Sequence, residues 1–119
     1  MKRAGQIALT PFPYTDLSAA KLRPVLLLRE ASARFDDWLV CMVSSQLHQA
    51  EPELDEPVLP AEGDFVATGL KVPSVVRVSR LAVLNGALLT GSIGCISDER
   101  LTRVRRRLAC WIAGDPQPS

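Results

Sequence analysis

The chain has 119 residues, of which 47% are hydrophobic and 23% charged, and this balance excludes an intrinsically disordered chain. The length predicts a single domain over residues 1–119, with a core that needs neither a metal ion nor a disulfide. The net charge of +1 excludes a surface that is basic throughout.

The cysteines and the N-terminal residues exclude further classes of protein. Cys41, Cys95 and Cys110 are odd in number and form no Cys-x-x-Cys pair, so we expect neither a zinc site nor a secreted disulfide framework. The first apolar stretch is interrupted at Thr10-Pro11, so we do not expect a signal peptide. No apolar run approaches the length of a membrane span. We therefore expect a cytoplasmic protein without a metal or cofactor.

Short apolar runs separated by proline and glycine predict strands along most of the chain. The predicted strands are, in chain order, 6–10, 24–29, 38–43, 58–59, 74–79 and 92–96. Pro11 is expected to end the first strand, the strand around 58–59 is short, and the one at 74–79 is expected to continue in extended form to residue 84. Asn85-Gly86 predicts a tight turn between the last two.

The hydrophobic period changes after residue 96 and predicts a C-terminal helix. Ser97 is a suitable N-cap, acidic residues follow it in the first turn, and Gly114 stops the helix. Five apolar residues at helical spacing form one predicted stripe: Leu101, Val104, Leu108, Trp111 and Ile112. The sum predicts a mainly β protein, a small and strongly curved barrel with one helix closing an end.

Charge is unevenly distributed along the chain. All charged residues at 51–64 are acidic, whereas those at 71–107 are mostly basic. This asymmetry would steer a polyanion to one face. We expect the acidic run to be solvated surface, and the arginine-rich face of the helix to be solvated rather than a nucleic-acid contact.

An arginine-proline step stands at the start of the second predicted strand, after a proline-rich loop. Pro24 has a fixed φ and biases Arg23 towards an extended conformation. Arg23 is therefore expected at the mouth of a buried strand with its guanidinium directed outward, as a phosphate-binding arginine is presented. A strand-edge arginine without a function is the alternative that these two residues leave open.

Four segments follow one another along the chain as short motifs. They are Gly5-Gln6-Ile7; Pro11-Phe12-Pro13-Tyr14-Thr15-Asp16-Leu17 leading to Arg23-Pro24-Val25-Leu26; Met42-Val43-Ser44-Ser45-Gln46; and Gly69-Leu70-Lys71-Val72-Pro73-Ser74-Val75-Val76-Arg77. In order and spacing these segments resemble the MazF/PemK family of toxin ribonucleases from bacterial toxin–antitoxin pairs. The sequence Pro-Phe-Pro-Tyr-Thr-Asp resembles the PemK-like branch.

The resemblance implies an SH3-like β-barrel with a C-terminal helix, and a homodimer with RNA lying across the subunit interface. It implies metal-independent cleavage of single-stranded RNA, as in a sequence-specific mRNA interferase. In that reaction the ribose 2′-OH attacks the adjacent phosphate and leaves 2′,3′-cyclic phosphate and 5′-OH ends. A cognate antitoxin, whose disordered tail folds into the groove, would silence the enzyme, and DNA would be contacted only through the antitoxin complex.

This chemistry needs positive charge at the phosphorane, help for the 2′-OH to lose its proton, and a donor for the departing 5′-oxygen. The resemblance makes Arg23 the candidate charge clamp, Arg77 a second clamp or proton donor, and Ser44 a hydroxyl that binds a phosphate oxygen or orients the 2′-OH. Five further residues are expected to contact RNA: Tyr14, Asp16, Lys21, Gln46 and Ser79.

Two positions depart from the family pattern. Some members carry an Asp, assigned as a general base, two residues after the second arginine, where this chain has Ser79. Some carry a His in the loop at 13–22, where this chain has none. Asp16 is the carboxylate of that loop, and the sequence leaves open whether it acts in catalysis or caps a turn. His48, the only histidine, is expected on the surface.

Two other classes of function remain beside the enzyme. One is a barrel that binds RNA or an antitoxin but has lost activity with Ser79. The other is a DNA-binding regulator, which the near-neutral charge disfavours. Convergence of Arg23, Ser44 and Arg77 in one groove would favour the enzyme, whereas a salt bridge from Arg77 to the acidic run would favour the binding protein.

Overall fold

Six antiparallel strands form one curled sheet, and a computed structural model describes this architecture for residues 2–12 and 21–117, apart from the side chain of Phe12. The strands are β1 (Gln6–Phe12), β2 (Lys21–Ser32), β3 (Asp37–Ser44), β4 (Glu56–Val58), β5 (Ser74–Asn85) and β6 (Gly91–Cys95). Their order across the sheet is β4-β5-β3-β2-β1-β6. A short helix, α1 (Phe65–Thr68), and a long one, α2 (Asp98–Ala113), complete the fold. The predicted mainly β protein with a C-terminal helix is confirmed, and its sheet is a half-barrel.

Several boundaries differ from the sequence prediction. Pro11 does not end β1 but pairs within it opposite Leu22. The predicted strand at 74–79 and its extension are one continuous strand, β5. The predicted turn at Asn85-Gly86 is a 3-10 helix (Gly86–Leu88), in which the Asn85 side chain accepts a hydrogen bond from the Ala87 N–H. The helix α1 and a second 3-10 helix (Leu47–Gln49) were not predicted, since each is a single turn without a periodic pattern.

The alternation of side chains along the strands gives the sheet two apolar faces of unequal size. The larger core lies between the sheet and α2; its buried members are Ile7, Leu26, Leu28, Cys41, Val43, Leu54, Val58, Phe65, Val76, Val78, Ile96, Leu101, Val104 and Leu108. The smaller core lies on the opposite face; its members are Ala8, Val25, Leu27, Trp38, Val40, Leu84 and Leu89. The strands at the centre of the sheet are therefore covered on both faces.

The helix α2 has the predicted caps but a shorter buried stripe than predicted. The Ser97 hydroxyl accepts a hydrogen bond from the Arg100 N–H, and Gly114 ends the helix at φ 76°. Trp111 and Ile112 were predicted to continue the stripe and are 50% and 67% exposed, so that prediction is wrong for the last turn. Ile112 lines one surface groove and Trp111 lines another.

Close backbone packing joins α1 to the edge strand β6 and helps to close the half-barrel. Gly69 follows α1 at φ 75°, and a Cβ there would collide with the carbonyl of Ile93. A Cβ at Gly94 would collide with the carbonyls of Ala67 and Thr68. Glycine is required at both positions because the two backbones leave no room for a side chain.

The acidic segment (residues 51–64) is held against α2 by one buried arginine. Arg100 has a side chain only 3% exposed. Its guanidinium donates five hydrogen bonds of 2.8–2.9 Å, to carboxylate oxygens of Glu56, Glu62 and Asp64 and to the Pro57 carbonyl. All the donors of a guanidinium are thereby used.

Two further arginines of α2 converge on one carboxylate of that segment. Arg103 donates to both oxygens of Glu56, at 2.7 and 2.9 Å, and Arg107 lies 3.2 Å from the same group. Glu56 and Asp55 are 3% and 4% exposed. The expectation of a solvated acidic run is therefore wrong for these two residues. The expectation that the arginine face of α2 is solvated is likewise wrong for Arg100. Its positive charge is buried together with the carboxylates that neutralise it.

We expect acid to weaken this contact between α2 and the acidic segment. Hydrogen bonds from Arg100 hold the pKa of Asp64 well below its usual range, and the Leu59 N–H chiefly lowers the pKa of Glu62. A carboxyl with a lower pKa in the folded than in the unfolded state stabilises the fold above its usual pKa of about 4, and this stabilisation is lost as pH falls towards the folded value.

The free energy of unfolding, measured by urea denaturation at stepped pH, should therefore drop steeply below about pH 4. The variant Asp64→Asn should be less stable at neutral pH and lose less stability on acidification. A variant whose curve runs parallel to that of the wild type would contradict the assignment.

Candidate functional site

Three adjacent strands bring the predicted catalytic residues to one end and one face of the sheet. Val25 pairs with Met42, and Met42 pairs with Arg77. Continuing the β2–β3 register by two residues places Arg23 opposite Ser44. Because paired residues and every second residue point to the same side, these side chains share the face opposite α2.

A groove of about 620 Å³ opens at this position and is called here the strand-end groove. Its polar and charged lining consists of Arg23, Ser44, Ser45, Gln46, Gln49, Lys71, Ser74, Arg77 and Arg80. Leu70, Val72 and Met42 are among its apolar lining. Four of the lining residues carry positive charge, and none of the described ones is Asp or Glu.

The strand-end groove is therefore strongly basic in a protein of net charge +1. Three acidic residues that offset this charge lie elsewhere, since Glu56, Glu62 and Asp64 are paired with arginines of α2.

Among the carboxylates of the described residues, Asp55 alone pairs with an arginine of the groove, Arg77. Three of the four cations of the groove, Arg23, Lys71 and Arg80, have no carboxylate partner among the described residues, so the groove carries a local excess of positive charge. Such a site attracts polyanions.

Arg23 and Ser44 are presented to the groove in different ways. Arg23 is exposed at the start of β2, directly before the half-buried Pro24, as predicted. Ser44 ends β3, and its Oγ accepts a hydrogen bond of 3.0 Å from the N–H of Gln46. This bond orients the hydroxyl oxygen and leaves its proton available for donation to an incoming phosphate oxygen.

Arg77 is the most constrained of the three. Its side chain is only 10% exposed, and its Nε donates to Asp55 Oδ2 at 2.8 Å. Its Nη1 donates to Gln49 Oε1 at 3.3 Å, from another residue that lines the groove. The two bonds use two of the five N–H donors of a guanidinium, so the group is fixed without being fully occupied.

The predicted RNA contacts divide into three groups. Gln46 is exposed and lines the groove. Lys21 is exposed at the beginning of β2 and does not belong to the described lining, and Ser79 lines a different depression beside Trp111. Tyr14 and Asp16 lie outside the described residues.

His48 is exposed in the 3-10 helix after β3, as expected, and does not line the groove. Sequence reasoning missed Arg80, Gln49 and Asp55 as parts of the site. Arg80 continues β5 past Arg77 and carries no motif of its own. Asp55 stands within a run of acidic residues that predicts solvated surface, and only the fold reveals its contact with Arg77, 22 positions later.

Solved structures with this fold cover nearly the whole chain. The MazE–MazF complex (Form-II) from Deinococcus radiodurans has a TM-score of 0.71 and 22% identity, covering 94% of this chain and 96% of that one. An endoribonuclease in complex with its cognate antitoxin, from a Mycobacterial species, has a TM-score of 0.70 and 15% identity, covering 99% and 100%. The Mycobacterium tuberculosis toxin MazF-mt6 has a TM-score of 0.65 and 19% identity, covering 91% and 96%. At these identities the likeness establishes the fold.

No curated protein sequence matches the chain. Among the described residues, no helix has the length and apolar character that crossing a membrane requires. The sequence model of PemK-like, MazF-like toxins of type II toxin–antitoxin systems matches residues 3–112, which is nearly the whole chain. By that match and by its fold, the chain belongs to the PemK-like, MazF-like toxin family.

Proposed function

We propose that this protein is the toxin of a toxin–antitoxin pair and cleaves single-stranded RNA, messenger RNA in particular, without a metal ion. The observation that carries the proposal is the convergence of Arg23, Ser44 and Arg77 on one basic groove. The family supports it, and so do two structural relatives whose names describe them as endoribonucleases.

The reaction proposed is an internal transesterification. The ribose 2′-OH gives up its proton as its oxygen attacks the adjacent phosphorus, the bond from phosphorus to the 5′-oxygen breaks, and the 5′-oxygen takes up a proton, so that no proton is gained or lost overall. The products are a 2′,3′-cyclic phosphate and a 5′-OH end. Negative charge on the phosphorane oxygens increases along this path, so fixed cations lower the barrier.

Each residue has a role in keeping with its geometry. Arg23 is exposed and reaches a phosphate with two parallel N–H bonds. Ser44 donates its hydroxyl proton to a phosphate oxygen or orients the 2′-OH. Arg77 stabilises the developing charge from a fixed position, and the surrounding cations lower the pKa of the 2′-OH. Asp16 is the proposed source of further basic assistance.

The groove suits single-stranded RNA in other respects. Lys71 and Arg80 also line the groove and are proposed to hold phosphates beyond the reacting one, and Gln46, another lining residue, is proposed to hydrogen-bond a base edge. Tyr14 and Lys21 are proposed to contact neighbouring nucleotides. Two structural relatives are complexes with an antitoxin. We accordingly propose a cognate antitoxin and a homodimer for this protein, acting in the cytoplasm.

One observation favours the alternative of a binding protein without activity. Arg77 is engaged in an ion pair with Asp55 of the acidic segment, and Ser79 has no charge of its own. The pairing does not exclude catalysis, however, because Arg77 still lines the groove and retains donors. The groove would also hold RNA in the inactive protein, so only a cleavage assay separates the two functions.

We expect the purified protein to cut a long single-stranded RNA in the presence of EDTA, because the proposed charge stabilisation comes from arginines. Mapping of the product ends should find 5′-hydroxyl groups and 2′,3′-cyclic phosphates at discrete sites. The matched control is the same RNA with a 2′-O-methyl group at the cleaved nucleotide, which should remain intact because its attacking oxygen is blocked.

Two results would contradict this proposal. Cleavage of the 2′-O-methyl RNA at the same site would exclude internal attack. Binding of RNA without cleavage, by protein shown to be folded and free of antitoxin, would establish the inactive binding protein instead.

A further inference from the structure

A completely buried carboxylate lies beneath the strand-end groove. The side chain of Asp55 is 0% exposed and accepts from Arg77 Nε at 2.8 Å and from the Glu51 N–H at 2.9 Å, both at Oδ2. Its Oδ1 accepts from the N–H of Ser79 at 3.0 Å. The Ser79 hydroxyl lies 3.1 Å from both carboxylate oxygens. A buried charge of this kind persists only where it is so fully paired.

A bulge in β5 creates the place for this carboxylate. Cys41 pairs with Leu81, but the next residue, Met42, pairs with Arg77, so residues 78–80 have no partners on β3. Bulged residues leave backbone groups unpaired. The Ser79 N–H is one such group, and Asp55 accepts its hydrogen bond. The Asp55 side chain thus accepts a hydrogen bond from a backbone N–H of the bulge and also holds Arg77, the residue just before the bulge.

Asp55 does not itself reach the reacting atoms. Its side chain has no exposed surface, the carboxylate oxygens are already occupied by several donors, and the residue does not belong to the described lining of the groove. A general base must come within hydrogen-bond reach of the proton it removes. Any effect of Asp55 on the reaction therefore passes through Arg77.

We propose that Asp55, supported by Ser79, is a positioning residue that fixes the Arg77 guanidinium at the wall of the strand-end groove. The catalytic consequence rests on the proposed ribonuclease function, whereas the fixing of Arg77 does not. A free arginine side chain has many rotamers, and ordering it at the moment of reaction costs entropy. The ion pair sets the geometry in advance, so that the remaining donors already face the position of the phosphate.

The variant Asp55→Asn tests this role. Both carboxylate oxygens accept from an N–H donor, so either orientation of the amide turns its NH₂ group towards one of those donors. The expected kinetic result is a kcat reduced roughly 10- to 100-fold. The KM for RNA should change little because Arg23, Lys71 and Arg80 still hold the substrate.

A second measurement does not depend on activity. The Nε–H of Arg77 donates to a buried carboxylate and should exchange slowly with solvent in the wild-type protein. Its ¹⁵N–¹H resonance is assigned by its disappearance in Arg77→Lys. In Asp55→Asn this exchange should become fast.

A rescue variant separates the lost charge from a general loss of structure. In Asp55→Asn/Ser79→Asp, a carboxylate returns beside the same arginine, since the Ser79 Oγ lies 3.1 Å from the original carboxylate oxygens. Slow exchange and most of the lost kcat should return. The matched control, Asp55→Asn/Ser79→Asn, adds the same volume without charge and should recover neither.

Slow exchange of the Arg77 Nε–H in a folded Asp55→Asn protein, as in the wild type, would overturn the proposal. Equal recovery of slow exchange and of kcat in the two double variants would also overturn it. If Asp55→Asn does not fold, Ser79→Ala replaces it, since this change removes only the hydroxyl contacts. Faster exchange of the Arg77 Nε–H in Ser79→Ala would support the proposal, and unchanged exchange would overturn it. If the wild-type protein cuts no RNA, the proposed function fails while the exchange measurement still decides the role of Asp55.

Discussion

Replacing Arg23 with alanine should abolish RNA cleavage and leave the free energy of unfolding almost unchanged. Arg23 is exposed at the start of β2, so its loss removes little packing. Its guanidinium is the proposed clamp on the phosphorane, and loss of one such group typically lowers kcat by about 100- to 1000-fold. Cleavage rates and urea denaturation of the same preparation test both halves of this expectation.

Two further variants sharpen the experiment. Arg106→Ala removes an exposed arginine of α2, outside the groove, and should leave cleavage intact. Arg23→Lys retains the charge but loses the parallel pair of donors, so it should recover only part of the rate. Full activity in Arg23→Ala would refute the site assignment, and a large loss of stability would refute the view that Arg23 acts only on substrate.

Replacing Arg100 with methionine should have the largest effect on stability. The change keeps much of the side-chain length but leaves Glu56, Glu62 and Asp64 without their shared partner. Breaking a buried ion pair by removing one member costs about 3–5 kcal/mol. Since domains are stable by only about 5–15 kcal/mol, this loss brings the fold close to unfolding at ambient temperature.

Thermal unfolding followed by circular dichroism measures this effect. The matched control is Arg106→Met, because Arg106 is exposed and has no ion pair with any described residue. Its melting temperature should stay close to that of the wild type. Similar melting temperatures for the two variants would show that the buried network contributes little to stability.

The fold could be predicted well from local patterns. Short apolar runs separated by proline and glycine predicted the strands, and Ser97 and Gly114 predicted the ends of α2 correctly. The single turns at Phe65–Thr68 and Leu47–Gln49 have no such pattern, so only the structure reveals them. Trp111 has the spacing of the buried stripe, but helical spacing fixes only the side of the helix and not how far the sheet extends beneath it.

The positions of two candidate site residues could be predicted from local sequence, Arg23 directly before Pro24 and Ser44 at a strand end, whereas their roles came from the family resemblance and stay predictions. The site could not be predicted where it depends on distant contacts. A run of acidic residues ordinarily indicates solvated surface, because isolated charges are costly to bury. Asp55 and Glu56 are exceptions because arginines from β5 and α2 meet them in the fold. The missing carboxylate at Ser79 likewise looked like a loss, yet Asp55 contacts that very hydroxyl.

The network around Arg100 joins parts of the chain that lie far apart in sequence. Arg100 contacts Asp64 and Glu56 across 36 and 44 residues of sequence, so these carboxylates leave the ribosome well before their cationic partner. Contacts this distant in sequence form late, since the intervening chain must first be ordered. The segment that carries Asp55 is therefore joined to α2 only once that helix has docked, whereas β4 and Asp55 join the same segment to β5 independently of α2. The α2 contacts and the β5 contacts thus hold the same segment from two sides, and the β5 contacts are the ones that reach the groove, through Arg77.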